Sequence, residues 1–388
     1  MYQPATYTYL AQERVIYGQP APDAVAGEVE RLGAERAFIV TSRSVAAGEA
    51  VASIAAGLGT RHAGTFDGCS AHTPRDCVIA AARAARDARA DLIVTVGGGS
   101  AIDGAKALLV CLAEGIDDAD TLGRYRMQLG ADGVRILPAV KPMSVRQIVV
   151  PTTLSGAEFS NLAGVTDPAR GVKDAYSADE MAARTVILDP AVTLATPQWL
   201  WLSTAIRSVD HAVETICSSA PQPLTDAAAV QALWMFATAL PVCHQDPENL
   251  QARLDCQLAV WLATTGLNRV PYGASHGIGH QLGAMAGVPH GHCSCVMLPA
   301  VLRYNAAANG DRQTMVAAAM GAPDGDAAKS IATLVARLGQ PGRLRDVGVR
   351  EDQFEDIAQS SLGNLFVRSN PRPITEAAQI VEILRSAW

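Results

Sequence analysis

The first half of the chain alternates short apolar runs with segments of helical spacing. Apolar runs occur at 37–41, 63–66, 91–96, 147–150 and 185–188. Short runs that are apolar at nearly every position are typical of strands buried on both faces of a parallel sheet. Helical spacing fills 20–32, 46–58, 73–89 and 101–112. An edge strand or hairpin is expected within 7–17. Strand and helix alternating with short connections predict a doubly wound α/β domain.

The second half shows a different pattern. Strand signals stop after Asp189-Pro190, and helical spacing continues from Pro197 to the C-terminus. The predicted helices cover 199–218, 224–240, 249–265, part of 273–295, 300–308 and several segments after 327. The polar, glycine-broken segment 112–144 is expected to be a surface excursion. The sequence therefore predicts an α/β domain over 1–192 and an all-helical domain over 193–388, with no internal repeat.

Composition excludes several classes of protein. The chain has 388 residues, of which 49% are hydrophobic and 18% charged, which suits a globular protein with two cores. A net charge of −7 without a basic stripe argues against a nucleic-acid partner. No uninterrupted apolar run reaches the roughly 18 to 20 residues of a membrane helix, and the N-terminus lacks the order of a signal peptide. Eight scattered cysteines predict reduced thiols in a cytoplasmic protein.

Histidines are concentrated in the stretch Gly273–Cys295. Four of the eight in the chain lie within seventeen residues there: His276, His280, His290 and His292. His276 and His280 are four residues apart and share one face of a helix. Gly277 and Gly279 between them are poor helix formers, so their presence indicates that another group approaches closely. Any one of these imidazoles could be a hydrogen-bonded core residue, but together they favour a site.

Two further elements adjoin this stretch. His290 follows Pro289 and is expected to open the next helix. His211 lies on an amphipathic helix with Arg207 one turn before it on the same face. Asp210 is turned by about 100° from His211 and is not expected to share that face.

The predicted strand 91–96 leads directly into Gly97-Gly98-Gly99-Ser100 and a helix. The glycines would let the backbone pass close to a pyrophosphate, and the helix would present free N–H groups and the positive end of its dipole. A plain tight turn uses the same residue types, and neither G-x-G-x-x-G nor a P-loop is present. Asp103 and Lys106 on the first turns of the helix could form a local ion pair.

A second polar turn follows the strand 147–150. Thr152, Thr153 and Ser155 could bind a ribose or an adenine edge, or they could form an ordinary Ser/Thr turn. Further upstream, Thr73 and Pro74 are expected to be the N-cap and the first residue of a helix.

Taken in order, these motifs resemble the iron-containing (group III) alcohol dehydrogenase superfamily, and the maleylacetate reductase branch in particular. The matching segments span nearly the whole chain: Val15–Gly18, His72–Pro74, Gly97–Ser100, Pro151–Thr153, Ser155–Glu158, Asp189-Pro190, His211–Glu214, Gly273–His276 with His280, and Pro289–Gly291. The resemblance implies a Rossmann-like N-terminal dinucleotide-binding domain and a helical C-terminal domain, the dehydroquinate synthase-like architecture. It also implies catalysis in a cleft between them, a homodimer, and a role in aromatic catabolism.

The resemblance assigns NADH or NADPH as the cofactor. Its binding positions are Ser42, Gly97, Gly98, Gly99, Ser100, Asp103, Thr152, Thr153, Ser155 and His280. Relatives often carry an acid after the second strand that rejects a 2′-phosphate. This chain has Ser42 followed by Arg43 there, so we expect NADPH to be accepted.

The superfamily's metal site maps onto His211, His276 and His290, together with an aspartate position that is Arg207 in this chain. A guanidinium cannot bind a cation, and at about 4 Å from a doubly charged ion it costs several kcal/mol even at a dielectric constant of about 20. Three imidazoles could hold zinc or iron only if Arg207 swings away. The maleylacetate reductase branch is similar in lacking the aspartate and in not depending on a metal.

The expected activity is therefore reduction of a C=O or conjugated C=C bond of a small oxo-acid such as maleylacetate. The predicted catalytic residues are Arg207, His211, His276, His280 and His290. Arg207 would polarise the carbonyl or bind a carboxylate, and His276 or His211 would supply the proton. Alternatively, Arg207 forms a structural salt bridge. The rival classes are a metal-dependent alcohol dehydrogenase, a dehydroquinate synthase-like lyase and a non-catalytic nucleotide-binding relative.

Overall fold

The apolar runs of the first half form one six-stranded parallel sheet. The computed structural model describes residues 2, 4–130, 135–322 and 325–388. Its strands are β1 (Arg14–Tyr17), β2 (Ala37–Val40), β3 (His62–Phe66), β4 (Leu92–Gly97), β5 (Gln128–Leu129), β6 (Arg135–Ile136), β7 (Arg146–Pro151), β8 (Leu162–Asp167), β9 (Val172–Ser177) and β10 (Thr185–Leu188). The sheet order is β1-β10-β7-β4-β2-β3, and β5-β6 and β8-β9 are separate antiparallel pairs.

Helices cover both faces of this sheet. They are α1 (Ala21–Leu32), α2 (Arg43–Ala46), α3 (Glu49–Leu58), α4 (Arg75–Asp87), α5 (Gly99–Glu114) and α6 (Ala119–Gly123). Ile39 and Val94 pack on one face with α1 and α3, whereas Phe38 and Ile93 pack on the other with α4 and α5. Because both faces are buried, the strands are apolar at successive positions. The predicted α/β architecture is confirmed.

The direction of winding reverses between β2 and β4. These strands are neighbours, but α3 follows β2 onto one face and α5 follows β4 onto the opposite face. The Thr41 hydroxyl donates to the carbonyl of Val96 at 2.7 Å and ties the two strand ends together. A doubly wound sheet opens a crevice at the carboxyl ends of its strands at such a reversal.

Of the two alternatives predicted for the segment 7–17, the structure shows the edge strand, β1. The predicted start of the helix after Thr73 was wrong. Helix α4 begins at Arg75, and Thr73 is not its N-cap. Thr73 instead adopts a φ of 54°, and its hydroxyl donates to the carbonyl of Ser100 at 3.0 Å. This tertiary contact takes the hydroxyl away from the helix end.

The hairpin β8-β9 was not predicted. It is formed by the polar segment of sequence between the apolar runs 147–150 and 185–188. Buried ion pairs fix it to the start of α4, because Arg75 pairs with Asp167 and Asp174. Charged residues in buried ion pairs hide a strand from any prediction that relies on apolar alternation.

The second unit is helical. It consists of Thr196–Trp388 together with Leu154–Gly156 and the N-terminal residues through Thr8, whereas the sheet unit consists of Tyr9–Thr153 and Ala157–Ala195. Its helices are α7 (Gln198–Ile216), α8 (Pro223–Gln245), α9 (Leu250–Ala263), α10 (Ala274–Ala286), α11 (His290–Ala319), α12 (Ala327–Arg337), α13 (Phe354–Ser361), α14 (Leu365–Arg368) and α15 (Ala377–Ser386). Contacts thus divide the chain after residue 195, and among the described residues 2, 4–8 and 154–156 join the helical unit. The domains 1–192 and 193–388 stay predictions.

Helix α8 is long and apolar enough to cross a membrane by length and composition alone. In the structure it packs along α7 and α9, with Leu233, Phe236 and Leu240 fully buried. This packing is typical of a core helix in a globular unit. Helix α11 opens at His290, as expected, and changes direction at Asn309, where φ is −140°.

Candidate active site

In the sheet unit, the glycine turn and the threonine pair lie side by side. The ends of β4 and β7 are in register at Gly97 and Pro151, and the backbone N–H of Thr152 donates to the carbonyl of Gly97 at 3.0 Å. A Cβ atom on Gly98 would lie 2.9 Å from Cγ2 of Thr153, so only glycine fits there. Two motifs separated by more than fifty residues therefore meet at one sheet edge.

Helix α5 begins at Gly99 with no side-chain cap on its first turn. An uncapped helix N-terminus with glycines beside it is a suitable binding place for a phosphate group. Ser42 lies at the end of the neighbouring strand β2, where its hydroxyl contacts that of Ser44 at 3.2 Å, and Arg43 is exposed. These residues fit a dinucleotide, with the pyrophosphate at the helix end.

Three other predicted cofactor residues are placed differently. The Asp103 carboxylate accepts from the backbone N–H of Gly164 at 3.0 Å and therefore holds the β8-β9 hairpin. The Ser100 hydroxyl accepts from the N–H of His72 at 3.3 Å. Ser155 belongs to the helical unit and is half-buried. Binding of the cofactor by these three residues stays a prediction.

Helix α5 itself carries a buried lysine. Lys106 donates to the carbonyls of Ala157 at 2.5 Å and Leu162 at 2.8 Å, and Nζ is 3.8 Å from Asp103 Oδ1, which gives the predicted ion pair. Burial lowers the pKa of Lys106. Burial also raises the pKa of Glu158 to about 7, and its Oε2 atom has no hydrogen-bond partner among the described residues.

In the helical unit, the site is built on α7 and α10. Glu214 and His211 come from α7, and His276 comes from α10. Oε2 of Glu214 lies 2.6 Å from Nδ1 of His276, and Nε2 of His276 lies 3.0 Å from Nδ1 of His211. The three side chains thus form one continuous hydrogen-bonded chain, carboxylate to imidazole to imidazole, that is almost entirely buried.

Asp210 joins this chain from the side. Its Oδ2 atom accepts from the hydroxyls of Ser275 at 2.8 Å and Ser294 at 2.7 Å and lies 3.5 Å from Nδ1 of His276. The sequence argument concerned only the His211 face of α7, and Asp210 joins the site from another side of that helix. Helix α7 is buried on every side from Trp201 onward, so a residue off the His211 face still contacts α10.

Arg207 is buried beside these groups, with 8% of its surface exposed. Its Nη1 atom donates to the hydroxyl of Ser294 at 3.4 Å. In the part of the chain that the structure describes, no carboxylate lies within 4.0 Å of the Arg207 guanidinium, so the alternative of a structural salt bridge finds no partner there.

The pKa values of the two linked imidazoles are shifted in opposite directions. Burial and Arg207 lower the pKa of His276, but Asp210 and Glu214 outweigh them, so the net pKa is raised. Burial, the charge of His276 and the charge of Arg207 hold the pKa of His211 well below its usual range. Of the two imidazoles, His276 is therefore the one that takes up a proton more readily.

The remaining histidines of the stretch form other contacts. The rings of His280 and His290 are 5.7 Å apart, and Asn364 Nδ2 lies 3.4 Å from Nδ1 of His280. His292 packs instead against Trp199, with ring centroids 5.8 Å apart. The structure thus brings the predicted histidines together as two pairs, His211 with His276 and His280 with His290.

Sequence reasoning missed Asp210, Glu214 and Tyr272. The Tyr272 ring lies 4.8 Å from His276 and 5.6 Å from His211, and it covers the pair. Asp210 and Glu214 are four residues apart on one helix, and two acids with this spacing were the signal in the sequence that pointed to these two residues.

Glycines set how closely the supporting helices approach. A Cβ atom on Gly277 would lie 2.6 Å from Cγ2 of Val367 and 2.9 Å from its backbone nitrogen. A Cβ atom on Gly291 would lie 2.5 Å from the carbonyl of Ser203. The close approach expected from the glycines of α10 is therefore made by protein at Gly277, since Val367 belongs to α14. Gly291 in α11 makes a similar close approach to Ser203 of α7.

The residues present do not fit a resident divalent cation. Asp210, Glu214 and His276 offer ligand atoms within 4.8 Å of one another. However, tetrahedral zinc with bonds of about 2.1 Å needs ligand atoms roughly 3.4 Å apart, and the Glu214–His276 distance is 2.6 Å. Both ring nitrogens of His276 already contact protein, and Arg207 adds a positive charge. The predicted set of His211, His276 and His290 meets the same difficulty at His276.

Comparisons with known proteins agree with this architecture. The family model described as iron-containing alcohol dehydrogenase matches residues 12–190, and the model of the C-terminal part of that family matches residues 202–388. The chain belongs to the iron-containing alcohol dehydrogenase family and is an oxidoreductase. Within it, the chain falls in the maleylacetate reductase-like branch.

Individual relatives support both statements. The maleylacetate reductase of Rhizobium sp. strain MTP-10005 is 30% identical, covering 97% of this chain and 95% of that protein. Its crystal structure has a TM-score of 0.83 and covers 100% of this chain and 98% of its own. Dehydrogenase FUM7 of Gibberella moniliformis is 34% identical, covering 96% of this chain and 95% of that protein.

Proposed function

We propose that the protein is an NAD(P)H-dependent reductase that acts on a small oxo-acid such as maleylacetate without a metal ion. The observation that carries the proposal is Arg207, a buried cation beside a hydrogen-bonded imidazole pair in a position where a metal would be repelled. Relatives with full-length similarity are named maleylacetate reductase, which supports this substrate class.

Residues of this chain would bind the cofactor, stabilise charge on the substrate and donate a proton. The glycine turn and the Thr152-Thr153 pair would hold the dinucleotide, and the bound nicotinamide would supply a hydride to the substrate carbon. Arg207 can bind a carboxylate with two parallel hydrogen bonds or stabilise the developing charge on the carbonyl oxygen. One imidazole of the His211–His276 pair would protonate the resulting alkoxide or enolate.

We infer that NADPH is used at least as well as NADH. Ser42 and the exposed Arg43 follow β2 at the place where relatives often carry an acid, so no carboxylate repels a 2′-phosphate there. Steady-state kinetics with both cofactors tests this inference. A preference for NADH by orders of magnitude would contradict it.

The proposed activity is tested with maleylacetate, a panel of other oxo-acids and a panel of simple aldehydes. Purified protein, with its metal content measured, is assayed before and after treatment with a chelator. We expect oxo-acid reduction that exceeds aldehyde reduction and persists after chelation. Loss of activity to the chelator, restored by iron or zinc, would favour the metal-dependent alcohol dehydrogenase instead.

Substitution of Arg207 separates its two proposed roles from a structural one. In Arg207→Met we expect kcat/KM for an oxo-acid to fall by about 10²- to 10³-fold, because a charge-assisted contact to the substrate is lost. Arg207→Lys should recover part of this loss, since it retains the charge but not the two-pronged geometry. Arg337→Met, at an exposed arginine of α12, is the control and should behave like wild type.

A further inference from the structure

We propose that Glu214, His276 and His211 form a directed proton relay in which His211 delivers the proton to the substrate and Glu214 is the positioning residue that sets its direction. This inference rests on the proposed reductase function and decides between the two imidazoles that the function leaves open. It is carried by the order of the hydrogen-bonded atoms: carboxylate, Nδ1 and Nε2 of one ring, then Nδ1 of the next.

His276 is not placed to protonate a substrate itself. Its Nδ1 is engaged by Glu214, its Nε2 is engaged by His211, and only 1% of its surface is exposed. His211 is the outer member of the chain. Its Nδ1 faces His276, and no hydrogen bond joins its Nε2 to the described residues. A proton that leaves this chain must therefore leave from Nε2 of His211.

Glu214 fixes which atoms carry protons. Its Oε1 accepts from the backbone N–H of Ser275 at 3.0 Å, and its Oε2 faces Nδ1 of His276. Because an ionised carboxylate only accepts, Nδ1 of His276 must carry a hydrogen. When Nε2 of His276 also carries one, it donates to Nδ1 of His211, and the hydrogen of the neutral His211 ring is then on Nε2.

The step is balanced in protons and charge. Hydride addition leaves a negative oxygen on the substrate. Nε2–H of His211 passes its proton to that oxygen as Nε2–H of His276 passes its proton to Nδ1 of His211. His211 is neutral before and after, and the positive charge of His276 disappears together with the negative charge of the substrate. The hydrogen on Nδ1 of His276 stays on that atom throughout and remains hydrogen-bonded to Glu214.

Glu214→Gln tests the role of Glu214 with almost no change of shape. The amide oxygen can still accept from Ser275, so the start of α10 keeps its hydrogen bond. The amide nitrogen then faces Nδ1 of His276 and donates to it, which removes the hydrogen from Nδ1. His276 is left with one hydrogen, on Nε2, and cannot give it up without becoming an anion. A purely structural Glu214 would tolerate this change, whereas a relay would not.

In Glu214→Gln we expect kcat for oxo-acid reduction to fall about 10²-fold while the Kd for NADPH stays within twofold, as suits loss of a general acid. The solvent deuterium isotope effect on kcat should rise, because proton transfer becomes rate-limiting. Glu248→Gln, at an exposed acid between α8 and α9, is the control and should match wild type in all three quantities. A folded Glu214→Gln enzyme with kcat within twofold of wild type would overturn the relay.

A second measurement does not need turnover. In protein labelled with ¹⁵N-histidine, with resonances assigned through His211→Gln and His276→Gln, we expect a neutral His211 protonated on Nε2 and a His276 protonated on Nδ1. A neutral His211 protonated on Nδ1 would refute the relay even in an active enzyme. If no oxo-acid is reduced by wild type, the proposed function fails, and these spectra still decide whether the chain of protons is arranged as inferred.

Discussion

Two buried acids show that hydrogen-bond donors decide the charge of a side chain in this protein. Burial raises the pKa of Asp210, but the charge of His276, its hydrogen bond and the Ser294 hydroxyl outweigh it, so the net pKa is lowered. Glu158 is as deeply buried, but there burial outweighs a backbone hydrogen bond and the charge of Lys106, so its pKa is raised to about 7. The ionised carboxylate is thus favoured at Asp210, whereas the uncharged, protonated form is favoured at Glu158.

The raised pKa of Glu158 predicts a pH-dependent loss of stability. Folding favours the protonated form of Glu158. Its contribution to the free energy of unfolding is therefore fully present below about pH 4.5, which is its pKa in the unfolded chain, and is lost as the pH rises through about 7. Relative to wild type, Glu158→Gln should gain about 3 kcal/mol of unfolding free energy between pH 5 and pH 8. Urea unfolding at both pH values measures this.

The control for this experiment is Glu35→Gln, at an exposed acid of the same unit. Its difference from wild type should not change with pH. A constant difference for Glu158→Gln across the same range would contradict the shifted pKa and the burial that causes it.

At the residue scale, the sequence identified part of the site. Arg207, His211, His276, His280 and His290 stood out because of their residue type and spacing. Asp210 and Glu214 did not, because a helical-wheel argument assumes that one face of the helix meets solvent. Helix α7 has no such face along most of its length, so the acids that orient the imidazoles could be found only from the packing of α10 and α11 against it.

At the element scale, glycines in helices mark contacts between backbones. Helix α10 contains three glycines with different surroundings. A Cβ atom on Gly277 would overlap Val367, one on Gly279 would lie 3.3 Å from Cβ of Cys293, and one on Gly283 would meet nothing closer than 3.6 Å. Helix propensity favours alanine at all three by about 1 kcal/mol, so only packing distinguishes them.

This difference predicts opposite effects of one substitution within one helix. Gly277→Ala should lower the free energy of unfolding by about 1 to 3 kcal/mol, since the backbone of Val367 cannot move aside easily. Gly283→Ala, the matched control, should raise it by about 0.5 to 1 kcal/mol. Chemical denaturation of both variants measures the effects. Equal stabilisation by the two alanines would show that α10 and α14 are not held as closely as described.

The elements themselves were predictable to different degrees. Strands β2, β4, β7 and β10 and helices α7 to α11 follow from apolar runs and helical spacing, because each is buried in a regular way. The hairpin β8-β9 and the conformation of Thr73 were not predictable. Both depend on polar contacts between distant segments, Arg75 with two aspartates and Thr73 with Ser100, which leave no periodic pattern in the sequence.

At the scale of the whole molecule, the cysteines bear on the cellular compartment of the protein. All eight cysteines are free thiols, and the sulfurs of Cys243 and Cys256 lie 3.8 Å apart. The expectation that the protein is cytoplasmic remains a prediction. So does the N-terminal boundary of the cofactor domain, since the described residues 2 and 4–8 group with the helical unit.

We predict that the protein is a homodimer. Strand β1 is an edge of the parallel sheet and pairs only with β10 among the described strands, so its outer hydrogen-bonding groups are open to a second copy. Light scattering coupled to size-exclusion chromatography should give twice the chain mass of 40.6 kDa. A mass of 40.6 kDa that does not change over a hundredfold range of protein concentration would contradict the prediction.

The contact between Gly291 and Ser203 has a practical consequence for redesign. It lies one residue from His290 and one helical turn from Arg207, and it brings α11 against α7 with no side chain between them. Any library that seeks a new substrate preference should therefore hold this pair constant and diversify positions that face the histidine rings. Examples are Tyr272 and Phe366, whose ring centroid lies 5.5 Å from that of His280. A single methyl group at residue 291 would displace the guanidinium and the nearby imidazoles together, and the resulting variants would lose turnover with every substrate alike.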